Sequence, residues 1–223
     1  MTFNPFHQSI PGFSVLYVFG AGGHGREVAW LAEQSWGQQV RILHVVDRRE
    51  FLSDAVNGNE VCLLDEVRPR TGDRFIVAVG DSALRRRAAA ACTEIGLLPA
   101  TIVHPRVEAS RTVVLGEGSI LCAGSIVTSN VTIGQHVHVN IGCTISHDVA
   151  IGDFSTLSPG VHVSGHVHIG QDVFIGTGAS IINGSAGNPL VIANDAVIAA
   201  GACVIHPIEA GALVAGVPAI RKR

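Results

Sequence analysis

Aliphatic residues recur at every sixth position from Leu115 onward: Leu115, Leu121, Val127, Ile133, Val139, Ile145, Ile151, Leu157, Val163, Ile169, Ile175 and Ile181. Glycine follows directly at Gly116, Gly134, Gly152, Gly170 and Gly176. The register breaks once, across residues 183–189, and resumes five residues out of phase at Ile192, Ile198 and Val204. A period of six matches neither a helix nor a flat strand. It is the repeat of a β-solenoid. Each hexapeptide supplies one short strand and one corner, and three of them close a triangular coil. Residue i then stacks near residue i+18, and each coil buries its aliphatic row on the next. Gly, Asn and Asp supply permissive backbone at the corners. The interruption at 183–189 predicts a loop pushed out of one corner.

The first hundred residues follow another pattern. A short apolar run, Val15 to Phe19, reads as a strand, and Gly20 to Gly25 as a turn. Arg26 to Glu33 reads as a helix with Val28, Leu31 and Ala32 on one face. Arg41 to Val46, ending at Asp47, and Phe75 to Val79, ending at Gly80 and Asp81, read as further strands. A second helix is predicted from Ser82 to Ile95, with Ser82 as its N-cap. Strand–helix alternation implies a parallel sheet with crossover helices. Residues 1–12 read as a loosely held lead-in. Composition shifts near residue 100, between Pro99 and Pro105, which predicts an α/β domain over 1–100 and the solenoid over 101–223.

Composition removes several functional classes. Fifteen Lys and Arg against 18 Asp and Glu give a net charge of −3, no footprint for nucleic acid. No apolar run reaches the roughly 18 residues of a membrane-spanning helix, and no secretory signal pattern opens the chain. Five dispersed cysteines without a C-x-x-C pair argue for reduced thiols in the cytoplasm. With 47% apolar and only 15% charged residues, much surface must be covered, by a core or by another chain.

Two segments carry candidate chemistry. Gly20-x-Gly22-x-x-Gly25 matches the dinucleotide fingerprint, with Asp47 about twenty residues on. Glycines let backbone approach a phosphate, and a helix N-terminus attracts it; the same glycines also suit a bare strand–helix turn. The space before the repeat holds one mononucleotide-sized half, which favours a single nucleotide over NAD. In the solenoid, His147 stands beside Asp148. Histidine suits a general base near neutral pH, and a nearby carboxylate raises its basicity and holds its tautomer. Neighbouring side chains on a strand point to opposite faces, so Asp148 can serve His147 only at a corner, which the hexapeptide phase after Ile145 allows. An ordinary exposed side chain is the alternative, and most of the eleven histidines are that. His136 with His138, and His162, His166 and His168, alternate as chelating pairs do. The i+18 rule sets His166 near Asp148 and His168 near Ala150, but no third ligand completes a set. No metal is expected; an outward histidine ladder, or packing against a neighbouring chain, is the reading. The basic tail Arg221-Lys222-Arg223 reads as a solvated terminus or a phosphate contact.

The hexapeptides over about 103–220 resemble the left-handed parallel β-helix of the hexapeptide acyltransferases, and Val214 to Ala219 is similar to the stretch that closes many such domains. The front segment Phe19 to Arg26 resembles a narrower subfamily, the bacillosamine-pathway sugar-nucleotide N-acetyltransferases and the sialic-acid O-acetyltransferases. There a Rossmann-like α/β nucleotide-sugar domain precedes the β-helix. The resemblance implies a homotrimer that transfers acetyl from acetyl-CoA to an amino group on a nucleotide-linked deoxy-sugar. Sugar O-acetylation and a non-catalytic assembly subunit are the rival readings. It makes His147 the base and Asp148 its modulator. It sets His24, Gly25 and Arg26 on the diphosphate and sugar, with Asp47, Arg48, Gly80 and Asp81 along the nucleotide pocket. Asn140 would lie near the acceptor, or be a corner residue with a satisfied side chain. Gly165, Thr177, Ala200 and Gly201 would line the CoA groove, with His147 of one chain facing Thr156 and Gly165 of the next. Thr156 departs from the pattern: the subfamily commonly has a second histidine there, on the acetyl group.

Overall fold

The computed structural model describes residues 12–222; the lead-in expected over 1–12 falls, but for Gly12, outside them, as does Arg223. The chain divides into two compact units, one ending at His104 and the next beginning at Pro105. That junction lies four residues beyond the expected 100/101 boundary.

The first unit is an α/β sheet built from β1 (Val15–Phe19), α1 (Gly23–Trp36), β2 (Arg41–Val46), β3 (Ala55–Val56), β4 (Asn59–Leu63), β5 (Arg74–Val77), α2 (Ser82–Glu94) and β6 (Leu98–Pro99). Strand order is β3-β4-β2-β1-β5-β6, parallel throughout except for the β3–β4 hairpin. That hairpin went unread, although Asn57-Gly58 announces it. Both turn residues have positive φ (49° and 85°), the requirement of a tight hairpin turn. Helix α1 starts three residues earlier than Arg26 and runs three beyond Glu33. Its first turn closes with Arg26 N–H on the Gly22 carbonyl at 3.1 Å, so Gly22 is the N-cap and Gly25 of the motif is helical. The N-cap of α2 is Asp81, not Ser82: the Asp81 carboxylate accepts the Leu84 N–H at 2.7 Å. Strand β5 ends at Val77 rather than Val79, because Val79 and Gly80 leave the sheet for the side chain of Arg85.

The second unit is a parallel β-helix. One face stacks Ile120–Leu121, His138–Val139, Thr156–Leu157, Phe174–Ile175, Val197–Ile198 and Leu213–Ala215. The second stacks Glu108–Ala109 through Thr144–Ile145 to Cys203–Val204. The third stacks Val114–Leu115 through Ala150–Ile151 to Leu190–Ile192. Partners lie 18 apart until Val167 meets Leu190, a step of 23 across the extruded loop. Eleven of the twelve periodic aliphatics are buried. Leu115 is half-buried, as it pairs on one side only, with Ile133.

A second inward row, two residues earlier, escaped the aliphatic pattern because serine, cysteine and alanine interrupt it. Val113, Ser119, Ser125, Val131, Val137, Cys143, Val149, Ser155, Val161, Val167, Val173 and Ala179 are all buried. Strand alternation puts i and i−2 on one face. The serines are tolerated because their hydroxyls are used. Ser119 Oγ donates to the Gly134 carbonyl at 2.8 Å and accepts from Val137 N–H at 2.9 Å, and Ser155 repeats this on Gly170 and Val173. A buried hydroxyl without such partners would destabilise the coil.

The corners have their own period. Every sixth residue from Gly118 to Gly178 has positive φ, including Asn130, His136, Asp148, Phe154, His166 and Asp172. The glycines after the aliphatics serve close approach instead: a Cβ on Gly152 would lie 2.6 Å from Gly170 C and 2.7 Å from Gln171 N. The tail is exposed to solvent through Lys222, as expected, yet its backbone is paired. Ile220–Arg221 pairs antiparallel with Leu213–Ala215, and the Arg221 guanidinium binds the Glu209 carboxylate. Gly152→Ala should therefore cost about 1–3 kcal/mol, read as a fall of several degrees in Tm. Gly142→Asn, at φ 68° with open space around it, should stay within about 0.5 kcal/mol of the parent. Equal Tm values for both variants would contradict the stacking argument.

Candidate functional site

In the α/β unit a cavity of about 540 Å³ opens over the C-terminal ends of β1 and β2 and the start of α1. This is where a parallel sheet presents ligands to helix N-termini. Gly20, Gly22, His24, Gly25, Asp47 and Gly80 line it, together with Phe51. Of the residues expected there, Arg26, Arg48 and Asp81 do not line it. Arg26 is exposed on α1. Arg48 pairs with Glu50 at 3.2 Å and lies over the Phe51 ring at 5.6 Å. The Asp81 carboxylate is taken by the α2 cap.

The glycine turn is held from beneath. A Cβ on Gly25 would sit 2.1 Å from the Gly20 carbonyl oxygen, so only glycine fits. That oxygen accepts from Nδ1 of His44 at 2.9 Å. His44 is fully buried, and burial depresses its basicity, so the neutral ring must carry its proton on Nδ1 to bond a carbonyl. Arg85, also fully buried, donates to the Val79 carbonyl at 2.8 Å and reaches that of Gly80 at 3.4 Å. Sequence reading passed over both residues. A histidine inside an apolar strand and an arginine on the apolar face of a helix were the available signals. Burial likewise lowers the His24 pKa, with Glu27 opposing it from 3.3 Å and Arg85 adding to it.

In the β-helix, His147 and Asp148 occupy the corner between the second and third faces. Asp148 has φ 57°, and this left-handed residue swings its carboxylate back onto its neighbour. His147 Nδ1 lies 2.8 Å from Asp148 Oδ2. Asn130, one coil earlier, donates Nδ2–H to Asp148 Oδ1 at 3.1 Å. The hydrogen bonds from His147 and Asn130 hold the Asp148 carboxyl below its ordinary pKa, so it is charged at neutral pH. His147 is half-exposed and Nε2 is left unengaged by Asp148. Gly165, one coil later in the same chain, lies against the imidazole: a Cβ there would sit 2.5 Å from Cε1. The expectation put Gly165 across from His147 only on a neighbouring chain; the 18-residue step puts it beside His147 within one chain.

Other expected residues lie elsewhere. Asn140, Thr177, Ala200 and Gly201 share the corner between the first and second faces. There Gly201 N–H bonds the Thr177 carbonyl at 2.8 Å, and the Asn140 amide donates to the Leu157 carbonyl at 2.8 Å. Thr156 is buried on the first face, between His138 and Phe174. The histidine pairs do not form by alternation, since strands of two or three residues leave His136 and His166 on corners and His138 and His168 on faces. His136 stacks on Phe154 at 4.9 Å, and His162 Nδ1 meets Thr144 Oγ1 at 2.8 Å. A cluster other than those pairs forms at the His147 corner, where His147, Asp148 and His166 bring ligand atoms within 4.8 Å of one another. Asp148 already serves His147 and Asn130 there.

Comparison with known proteins agrees with both units. Residues 15–91 match the PglD N-terminal domain family. A GDP-perosamine N-acetyltransferase of Escherichia coli O157:H7 is 33% identical over 139 residues, 59% of this chain and 61% of that protein. The alignment thus spans under two thirds of that relative's length. The acetyltransferase domain of PglB from Neisseria gonorrhoeae, solved with acetyl coenzyme A, is 31% identical. It superposes with a TM-score of 0.83 over 94% of this chain and 100% of that one. PerB from Caulobacter crescentus, solved with CoA and GDP-perosamine, is 27% identical, with a TM-score of 0.83 over 97% and 100%. Among the described residues no helix is long and apolar enough to cross a membrane.

Cysteine chemistry is testable directly. Burial pushes the Cys92 thiol up to about 12 and Cys143 up to about 11, so neither forms a thiolate near neutral pH. Because only the unfolded thiols ionise above about pH 9, stability contributed by these groups falls as pH rises past that value. Iodoacetamide at pH 8 should spare Cys92 and Cys143 in the native protein and label both after denaturation, as read by peptide mass spectrometry. Equal native labelling would refute their burial.

Proposed function

Because the chain belongs to the left-handed β-helix acetyltransferases of the PglD type, we propose that it transfers acetyl from acetyl-CoA to the amino group of a nucleotide-linked amino-deoxy-sugar. The observation that carries this reading is the 2.8 Å His147–Asp148 pair at a left-handed corner. With Nδ1 committed to Asp148, Nε2 is the atom left to take a proton.

The acceptor amine attacks the thioester carbonyl carbon, and His147 Nε2 removes its proton as the C–N bond forms. Asp148, charged throughout, stabilises the imidazolium. The Gly165 backbone N–H would face the developing oxyanion, those of Ser164 and His166 being bonded to the Ile181 and His147 carbonyls. The intermediate then expels the CoA sulfur, which takes the proton back from His147. No covalent enzyme intermediate is required.

The nucleotide diphosphate belongs at the glycine turn, with the helix N-terminus and His24 and Gly25 on the phosphates. Asp47 and Gly80 line the nucleoside side. Arg26, Arg48 and Asp81 would act from the rim. Thr177, Ala200 and Gly201 supply the CoA groove through backbone groups, with Asn140 on the same corner. Within one chain that corner and the His147 corner lie at opposite edges of the second face, which favours a homotrimer whose neighbours bring the two corners together. Exposed Val114, Ile126 and Val191 on outer faces of the β-helix support such covering. In that arrangement Thr156 would approach the acetyl group as a neutral donor. Acetyl-CoA and free thiols fit the cytoplasm.

GDP-perosamine, and UDP- and dTDP-linked 4-amino sugars, should be acetylated with acetyl-CoA, whereas hydroxyl-only sugars should not. His147→Ala should lower kcat by about 10²- to 10⁴-fold in a thiol-release assay. Turnover that survives this substitution would reject the base assignment. Absence of CoA binding by calorimetry would favour an assembly role.

A further inference from the structure

Asp148 is gripped along the β-helix axis as well as by its neighbour in sequence. Asn130, Asp148 and His166 occupy the same corner position in three successive coils, each with positive φ (57°, 57° and 55°). Asn130 is itself fixed from the coil before, where Thr112 Oγ1 accepts its backbone N–H at 2.8 Å. Its side-chain amide then donates to Asp148 Oδ1 at 3.1 Å, while Oδ2 serves His147 at 2.8 Å. His166 Nε2 stands 3.8 Å from that same Oδ2, and its ring meets His147 edge-on at 5.1 Å.

A carboxylate has two oxygens and a broad terminal torsion. At a half-exposed corner it can turn toward water or toward His166 unless one oxygen is tied. Tying Oδ1 leaves Oδ2 aimed at His147 Nδ1, which keeps the proton on Nδ1 and the lone pair on Nε2. We propose that Asn130 is a positioning residue for the acetyl transfer, acting through Asp148 to orient the His147 imidazole. This rests on His147 being the base. It also predicts that Asn130 touches neither substrate.

Asn130→Gly tests this in the full chain, because glycine accepts φ 57° without strain and removes only the amide. With acetyl-CoA and the best acceptor of the GDP-perosamine, UDP- and dTDP-amino-sugar panel, kcat should fall about tenfold, with both KM values unchanged within about twofold. On an Asp148→Ala background the same substitution should produce no further loss, since the residue acts only through that carboxylate. Unchanged kcat in the single variant, or losses that multiply in the double variant, would overturn the proposal. His147→Ala assayed alongside separates the two readings. If that variant is inactive while Asn130→Gly matches the parent, only the positioning role fails. If His147→Ala turns over normally, the base assignment falls and this inference with it.

Discussion

The stacking of one coil on the next at an 18-residue step is the constraint on which the β-helix depends. A two-residue strand has no independent stability. It persists here because its backbone bonds the coils on either side and because two inward rows, one aliphatic and one mixed with small residues, fill the prism. The same stacking forbids side chains where Gly116, Gly134, Gly152 and Gly170 approach one another. It sets a left-handed residue at each corner from Gly118 to Gly178. Packing and corner geometry are thus two consequences of a single periodicity.

Chemistry enters through that corner requirement. Asn and Asp tolerate positive φ better than most residues, so polar side chains collect where the chain turns. One of these turns sets adjacent residues face to face, which a flat strand cannot do. His147 and Asp148 exploit it, and the coils before and after contribute Asn130, Gly165 and His166 to the same column. The extruded loop over residues 183–189 leaves from this corner too: Gly184 N–H bonds Gly165 O, and Leu190 N–H bonds His166 O. The loop therefore interrupts the period without disturbing the column beneath it.

In the α/β unit the constraint is the closeness of Gly20 and Gly25. A strand and a helix can meet so tightly only when the facing residue lacks a side chain. His44 and Arg85 then clamp carbonyls on either side of the cavity. Buried ionisable groups with such partners are costly to remove, which ties the shape of the cavity to the core beneath it.

The α/β-then-β-helix order, the twelve aliphatic positions, the loop at 183–189 and the glycine turn were all legible from residue order, because each follows from a local period or a composition that needs no knowledge of distant partners. The Asn57-Gly58 hairpin was legible too and was overlooked. The small-residue inward row, the clamping by His44 and Arg85, and the Asn130–Asp148 hydrogen bond were not, although the 18-residue step sets His166 near Asp148. Each rests on contacts between single atoms, whether near in sequence as Arg85 and Val79 or far as His44 and Gly20, and a serine, arginine or asparagine in the sequence carries no mark of which carbonyl or carboxylate it will meet. Periodicity alone determined that the chain coils, and where. Only the closed coils decided which atoms meet along a shared corner, because those contacts depend on side-chain direction that one-dimensional spacing does not contain.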